Sequence, residues 1–148
     1  MNKLHIRPAT RADLTAIVRI EKASFGRDAW ERKSFLDYLS ESENCFFLTA
    51  LKGKTIAGYA LAVHNQKRAE LDSIAVSASH RGHGIAAALM NRLTALLRRR
   101  GVCTMSLMVR LDNAAAIALY RKLGMKRDRR INGYYDDCAP AWRMRVFL

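Results

Sequence analysis

The amino-acid sequence predicts an α/β protein built on one mixed sheet with helices on both faces. Strand-like segments occur before, between and after helical segments, which is typical of this fold class. One strand-like segment runs through a glycine-rich turn directly into an amphipathic helix, and another follows the last helix. The chain has 148 residues, half of them hydrophobic, so we expect one domain with a single core over residues 1–148.

The N-terminal elements are a strand, two helices and a hairpin. "KLHIR" predicts a short strand that Pro8 ends, and Thr10 with Asp13 has the spacing of a capping box ahead of a helix reaching about Ala23. "SFGRDAW" interrupts this helix, and the apolar spacing after it predicts a second, shorter helix. "CFFLTAL" and "TIAGYALAV" flank "KGK" and therefore predict a β-hairpin.

The C-terminal elements begin with the strand "AELDSIAV" and the glycine-rich turn. The next helix carries leucines on one face and ends in "RRRG", where the cations of the last turn and Gly101 form a stop signal. "VCTMSLMV" predicts a strand, "NAAAIALYRKL" a helix that Gly124 stops, and "WRMRVFL" a last strand. These segments complete the mixed pattern.

Net charge and composition limit the classes of partner that this protein is expected to bind. The charge of +13 favours polyanions or acidic proteins. The sequence has no zinc pattern, aromatic RNA-binding signature or helix-turn-helix spacing, so we expect no nucleic-acid partner. Its three scattered cysteines indicate a reducing compartment and no metal site, and no apolar run approaches the ~20 residues that span a bilayer. We therefore expect a cytoplasmic protein.

The segment "ASHRGHGIAAALMNRL" has the layout of a phosphate-binding turn. Gly82 and Gly84 would let a pyrophosphate approach the first N–H groups of the helix, which lack intrahelical partners and carry the positive end of the helix dipole. Arg81 adds a cation, and the small Ala86 leaves room at the first turn. The alternative is a turn that only makes a tight connection. We call residues 81–86 the glycine turn.

Four segments in the right order resemble the GNAT superfamily of acetyl-CoA-dependent N-acetyltransferases over nearly the whole chain. "LDSIAVSASHRGHGIAAALM" resembles its acetyl-CoA motif and "VRLDNAAAIALYRKLGMKR" its second motif. "IEKASFGRDAWERKSF" and "RRINGYYDD" resemble segments of the ribosomal-protein-alanine N-acetyltransferase branch. The resemblance implies a central, mostly antiparallel sheet that splays at the cofactor strand. It also implies direct attack of an amine on the thioester, with the α-amine of a protein N-terminus, such as that of a ribosomal protein, as acceptor. We expect a monomer or homodimer.

The resemblance also implies roles for individual residues. Tyr120 would lie beside the thioester sulfur and protonate the leaving thiolate. Acetyl-CoA would be bound, through backbone or side chain, by Ile74, Ala75, Val76, Arg81, Gly82, His83, Gly84, Ile85, Ala86, Asn113 and Tyr120. The acceptor would be bound by Phe25, Trp30, Asp72, Tyr134 and Tyr135, with Asp136 and Asp137 attracting its charge. Core anchoring is the alternative for Phe25 and Trp30, and a solvated loop for the tyrosines.

The general base is the open question. At pH 7 an α-amine of pKa ~7.8 is neutral in roughly one molecule in seven, and a lysine in roughly one in 2,500, so lysine acetylation depends far more on a base. The branch that this chain resembles carries a glutamate where Met108 stands. Glu70 matches the catalytic glutamate of the superfamily's histone acetyltransferases and is our candidate base, with Asp72 two residues further on the same strand. A lysine or small-amine enzyme that uses Glu70, and a noncatalytic acetyl-CoA-binding module, remain alternatives.

Overall fold

The computed structural model describes residues 3–41 and 43–148, and in them it contains a seven-stranded sheet flanked by helices. The strands are β1 (Leu4–Pro8), β2 (Cys45–Lys52), β3 (Thr55–His64), β4 (Arg68–Val76), β5 (Thr104–Arg110), β6 (Lys126–Ile131) and β7 (Ala141–Phe147). The helices are α1 (Leu14–Phe25), α2 (Arg32–Leu39), α3 (Ile85–Arg99) and α4 (Ala114–Lys122). The predicted α/β class, including the hairpin of β2 and β3, is confirmed.

The sheet is antiparallel except at its centre. Its order is β1-β2-β3-β4-β5-β7-β6, and the pair of β4 and β5 is parallel. This pair is short, because its register runs only from Arg68 opposite Thr104 to Glu70 opposite Ser106. Beyond these residues the two strands diverge, which confirms the expected mostly antiparallel sheet with a splay at its centre.

A β-bulge in β4 changes the face of the sheet on which its side chains lie. Leu71 pairs with Ala62 and Ser73 with Leu61, so Asp72 is an extra residue in β4. A bulge interrupts the strict alternation of side chains along a strand. Leu71 therefore packs in the core on the α3 side, whereas Ser73 bonds to groups on the α1 side.

Two hydrophobic cores lie on the two faces of the sheet. The larger one packs α3 on the sheet through buried residues such as Leu89, Leu93 and Leu97. The smaller one packs α1 and α2 on β2 and β3, with Phe35 and Tyr59 fully buried. Helix α1 follows the predicted capping residues, where the Thr10 N–H donates to the Asp13 carboxylate at 2.8 Å, and it extends to Phe25 rather than Ala23.

Strand β6 has no counterpart among the elements predicted from the sequence. Its residues "KRDRRI" lack apolar alternation, and the first five are exposed. Such a strand forms because β7 supplies its hydrogen-bond partners, and its charges are common on edge strands. Within residues 3–41 and 43–148, no helix has both the length and the apolar character needed to cross a membrane.

Candidate active site

A cleft of about 800 Å³ opens where β4 and β5 separate. Its walls are the two strands, α1, the start of α4, the loop 26–31 between α1 and α2, and the loop 132–140 between β6 and β7. We call these the first loop and the second loop. The cleft brings together predicted site residues that are far apart in sequence: Phe25, Trp30, Glu70, Asp72, Ile74, Asn113, Tyr120, Tyr134 and Tyr135. Met108 also lines it.

The glycine turn lies beyond the end of β4 and does not line this cleft. Gly82 and Gly84 have φ values of +79° and +76°, a conformation that glycine adopts without strain. The Ala88 N–H bonds to the Gly84 carbonyl at 3.0 Å, so the preceding N–H groups of α3 have no carbonyl one turn earlier to bond. His83 is exposed, Ala86 is half-buried and the Ile85 side chain is in the core, so Ile85 can offer a ligand only its backbone.

The Arg81 side chain is turned back onto the end of β4. Its Nε donates to the Val76 carbonyl at 3.1 Å, and its Nη2 lies 3.5 Å from the Ser24 hydroxyl. Arg81 therefore fixes the glycine turn relative to β4 and α1. The neighbouring Ala75 and Val76 are buried in the sheet, where they pair with β3.

Tyr120 and Asn113 are positioned by α4. The Tyr120 side chain is 8% exposed, and burial raises the pKa of its phenol to about 12, so the phenol is protonated at neutral pH. The Asn113 Oδ1 accepts a hydrogen bond from the Ala116 N–H at 3.1 Å and so caps the helix. Asn113 thus has a structural role besides the predicted contact with the cofactor.

Glu21 is a buried carboxylate in the wall of the cleft that sequence reasoning missed. One of its oxygens accepts hydrogen bonds from the Ser73 hydroxyl, at 2.7 Å, and from the Tyr59 hydroxyl. The other accepts the Trp30 backbone N–H at 2.9 Å, which ties the first loop to α1. A signal was available, since Glu21 lies one helical turn after Ile17 on the apolar face of α1.

Asp72 and Glu70 differ in their surroundings. Asp72 is half-buried and accepts a hydrogen bond from the Tyr38 hydroxyl at 2.9 Å, whereas Glu70 is exposed. Burial, with a smaller contribution from the Glu70 charge, raises the pKa of Asp72 to about 6. Tyr38 stacks on Trp30, with ring centroids 5.5 Å apart, so the first loop supports the partner of Asp72.

Arg110 joins the two loops across the end of the cleft. It binds Asp28 of the first loop through two nitrogens, at 2.5 and 2.8 Å, and Asp137 of the second loop at 3.0 Å. Its guanidinium lies 4.1 Å from the centre of the Tyr135 ring, and Arg27 also binds Asp137, at 2.7 Å. Asp137 therefore connects the two loops, and its expected attraction of the acceptor stays a prediction.

The aromatic residues of the two loops combine packing with exposure to the cleft. Phe25 and Trp30 pack against the core under α1, as the core-anchoring alternative expects, and they also line the cleft. Their contact with the acceptor stays a prediction. Tyr134 is 45% exposed and meets Tyr135 edge to face, with ring centroids 5.0 Å apart. In the parts of the chain that the structure describes, no three His, Cys, Asp or Glu side chains are arranged to hold a metal ion.

Comparisons with known proteins agree with this architecture. The model of the acetyltransferase (GNAT) family matches residues 14–125. The [ribosomal protein bS18]-alanine N-acetyltransferase of Escherichia coli is 37% identical over 123 residues, which cover 83% of this chain and 81% of the relative. The crystal structure of the ribosomal-protein-S18-alanine N-acetyltransferase from Escherichia coli has a TM-score of 0.85 at 30% identity, covering 98% of this chain and 94% of that one.

A second similar solved structure is that of yncA, a putative acetyltransferase from Salmonella typhimurium, with its cofactor acetyl-CoA. It has a TM-score of 0.80 at 22% identity and covers 99% of this chain and 94% of that one, which shows a shared fold. The family match covers most of the chain, and the resemblance inferred from the four sequence segments is confirmed. This chain belongs to the GNAT family of acetyltransferases.

Proposed function

We propose that this acetyl-CoA-dependent N-acetyltransferase acts on the α-amine of a protein N-terminus. The observation that carries the proposal is the lining of the acceptor side of the cleft. The carboxylates of β4 and the aromatic side chains of Trp30 and Tyr134 line the same cleft, and negative charge together with aromatic faces suits an ammonium group. The similarity to a ribosomal-protein-alanine N-acetyltransferase supports the same acceptor class.

The residues around the splay and the glycine turn suit acetyl-CoA. The space above Gly82 and Gly84 is open, since a Cβ at either position would meet no atom within 4 Å. The free N–H groups at the start of α3 would bind the pyrophosphate. The edge of β4 that faces the splay would bind the pantetheine arm through residues 74–76, and the thioester would then lie between β4 and β5 near Tyr120.

The reaction moves two protons from the acceptor nitrogen. One leaves the ammonium so that the lone pair can attack the thioester carbonyl, and the other leaves the nitrogen after the C–N bond has formed. As the C–S bond breaks, the Tyr120 hydroxyl donates its proton to the sulfur, and the second proton of the nitrogen restores it. The products are the N-acetyl peptide, free thiol and one proton released to solvent.

A pooled peptide assay tests the acceptor class. The pool contains peptides with free α-amines and varied first residues, and N-blocked peptides that carry lysine. We expect acetyl groups on α-amines alone, located by mass spectrometry, with release of an equal amount of free thiol. Acetylation confined to lysine would contradict the proposal, and binding of acetyl-CoA without turnover on any amine would indicate a noncatalytic module.

The role of Tyr120 is tested with the Tyr120→Phe variant. We expect kcat to fall by ~10²-fold or more, with little change in the dissociation constant of acetyl-CoA measured by calorimetry. The opposite pattern, weaker binding with an unchanged kcat, would make Tyr120 a binding residue.

A further inference from the structure

The cleft holds several carboxylates, and most of them are already engaged or solvated. Asp28 and Asp137 bind Arg110, and both oxygens of the buried Glu21 accept protein hydrogen bonds. Glu70 and Asp136 are exposed to solvent. The remaining carboxylate is Asp72, which is half-buried and accepts its hydrogen bond from an uncharged hydroxyl, that of Tyr38.

We propose that Asp72 is the general base of this enzyme and replaces the glutamate that Met108 cannot provide. The proposal rests on the proposed function and refines it, because the sequence favoured Glu70 for this role. The bulge at Asp72 adds a residue to β4, so a carboxylate enters the cleft at the point where β4 leaves β5. Met108 lines the same cleft from β5.

The titratable groups around Asp72 favour a neutral or cationic group as the binding partner of its carboxylate. The groups that face it are the Tyr38 hydroxyl from α2, the Cys45 thiol from β2, Glu70 from its own strand and Tyr134 from the second loop. Of these, Glu70 carries a negative charge at neutral pH and the others are uncharged. An acceptor ammonium would therefore be the counterion of Asp72 in the complex.

The proton balance is simple. The Asp72 carboxylate takes one proton from the ammonium, becomes a carboxylic acid and later releases this proton to water. The nitrogen lone pair then attacks the thioester as described above. Since burial raises the pKa of Asp72 to about 6, the group is an ionised base at pH 7 yet more basic than an exposed aspartate.

The test compares Asp72→Asn with Asp37→Asn, an exposed carboxylate of α2 outside the cleft, as the matched control, using a free α-amine peptide that the wild-type enzyme acetylates. We expect Asp72→Asn to lower kcat/KM by ~10²-fold at pH 7, Asp37→Asn to change it less than ~3-fold, and Glu70→Gln to lower it less than Asp72→Asn does. The Asp72→Asn variant depends on spontaneously neutral amine, so its defect should shrink by about sevenfold between pH 7 and pH 9. The affinity of all three variants for acetyl-CoA, measured by calorimetry, shows that they are folded.

A second variant keeps the carboxylate and removes its partner. Tyr38→Phe deletes the hydrogen bond that lowers the pKa of Asp72, so the acidic limb of the kcat profile should move to higher pH. A purely structural role of Asp72 predicts no such movement. If Glu70→Gln abolishes turnover while Asp72→Asn retains it, or if the acidic limb is the same in wild type and Tyr38→Phe, the proposal is wrong. Failure of the wild-type enzyme to acetylate any α-amine would instead refute the proposed acceptor.

Discussion

Replacing Glu21 by alanine tests whether this buried carboxylate fixes the first loop. The substitution removes the acceptor for three donors, of which the Tyr59 and Ser73 hydroxyls can still bond each other across 3.2 Å. The Trp30 N–H and one hydroxyl are left unpaired. Each of these two groups costs ~1–3 kcal/mol, so we expect the free energy of unfolding to fall by ~2–6 kcal/mol.

Urea denaturation measures this loss, and hydrogen exchange measures where it arises. We expect faster exchange of the Trp30 amide in Glu21→Ala, together with a kcat/KM lower by ~10–100-fold because the wall of the cleft is misplaced. Lys22→Ala, at the next and exposed position of α1, is the matched control. If Glu21→Ala loses less than ~0.5 kcal/mol and its Trp30 amide stays protected, then Glu21 does not hold the loop.

Three further predictions concern the strand, the turn and the second motif. Asp72→Asn should raise the unfolding free energy at pH 7 by ~1–2 kcal/mol, a value reduced for partial exposure, because the folded-state pKa of Asp72 lies above its ordinary value. This gain should disappear as the pH falls from 6 to 4, which denaturation at several pH values would reveal. Gly84→Ala and Gly101→Ala should each lower the free energy of unfolding by ~1–2 kcal/mol, because both glycines have a positive φ and no neighbouring atom that a Cβ would meet. Only Gly84→Ala should also weaken acetyl-CoA binding, measured by calorimetry. Asn113→Ala removes the helix cap and should lower the free energy of unfolding by ~1 kcal/mol. Asn113→Asp keeps the cap and should weaken acetyl-CoA binding only if the side-chain amide contacts the cofactor.

Local patterns were sufficient to predict most of the fold. Capping residues, apolar spacing and turn glycines located the helices and the hairpin, because these signals act between residues close in the chain. Strand β6 escaped because its charged residues become a strand only through pairing with β7, a long-range contact that leaves no periodicity in the sequence.

The candidate site also has residues that sequence motifs predicted and residues that only long-range contacts reveal. Motif resemblance identified Tyr120 and the residues of both loops, and the cleft does bring them together. Sequence reasoning missed Glu21, Tyr38 and Arg110, because each has a hydrogen-bond partner far away in the sequence. The separation is 52 residues for Glu21 and Ser73, 34 for Tyr38 and Asp72, and 82 for Arg110 and Asp28. The proposal of Asp72 rather than Glu70 as base depends on the bulge in β4 and on the relative exposure of the two carboxylates, and the sequence reveals neither.

The short pairing of β4 with β5 has a consequence for the lifetime of the protein. The facing edges of the two strands beyond Glu70 and Ser106 lack sheet partners, and a bound acyl-thioester arm would complete them. By mass action, a ligand that binds only the folded state adds ~2.7 kcal/mol to the free energy of unfolding when its free concentration is one hundred times its dissociation constant. The melting temperature of this protein would then rise with the supply of its own substrate, and starvation for acetyl groups would leave it more open to proteolysis.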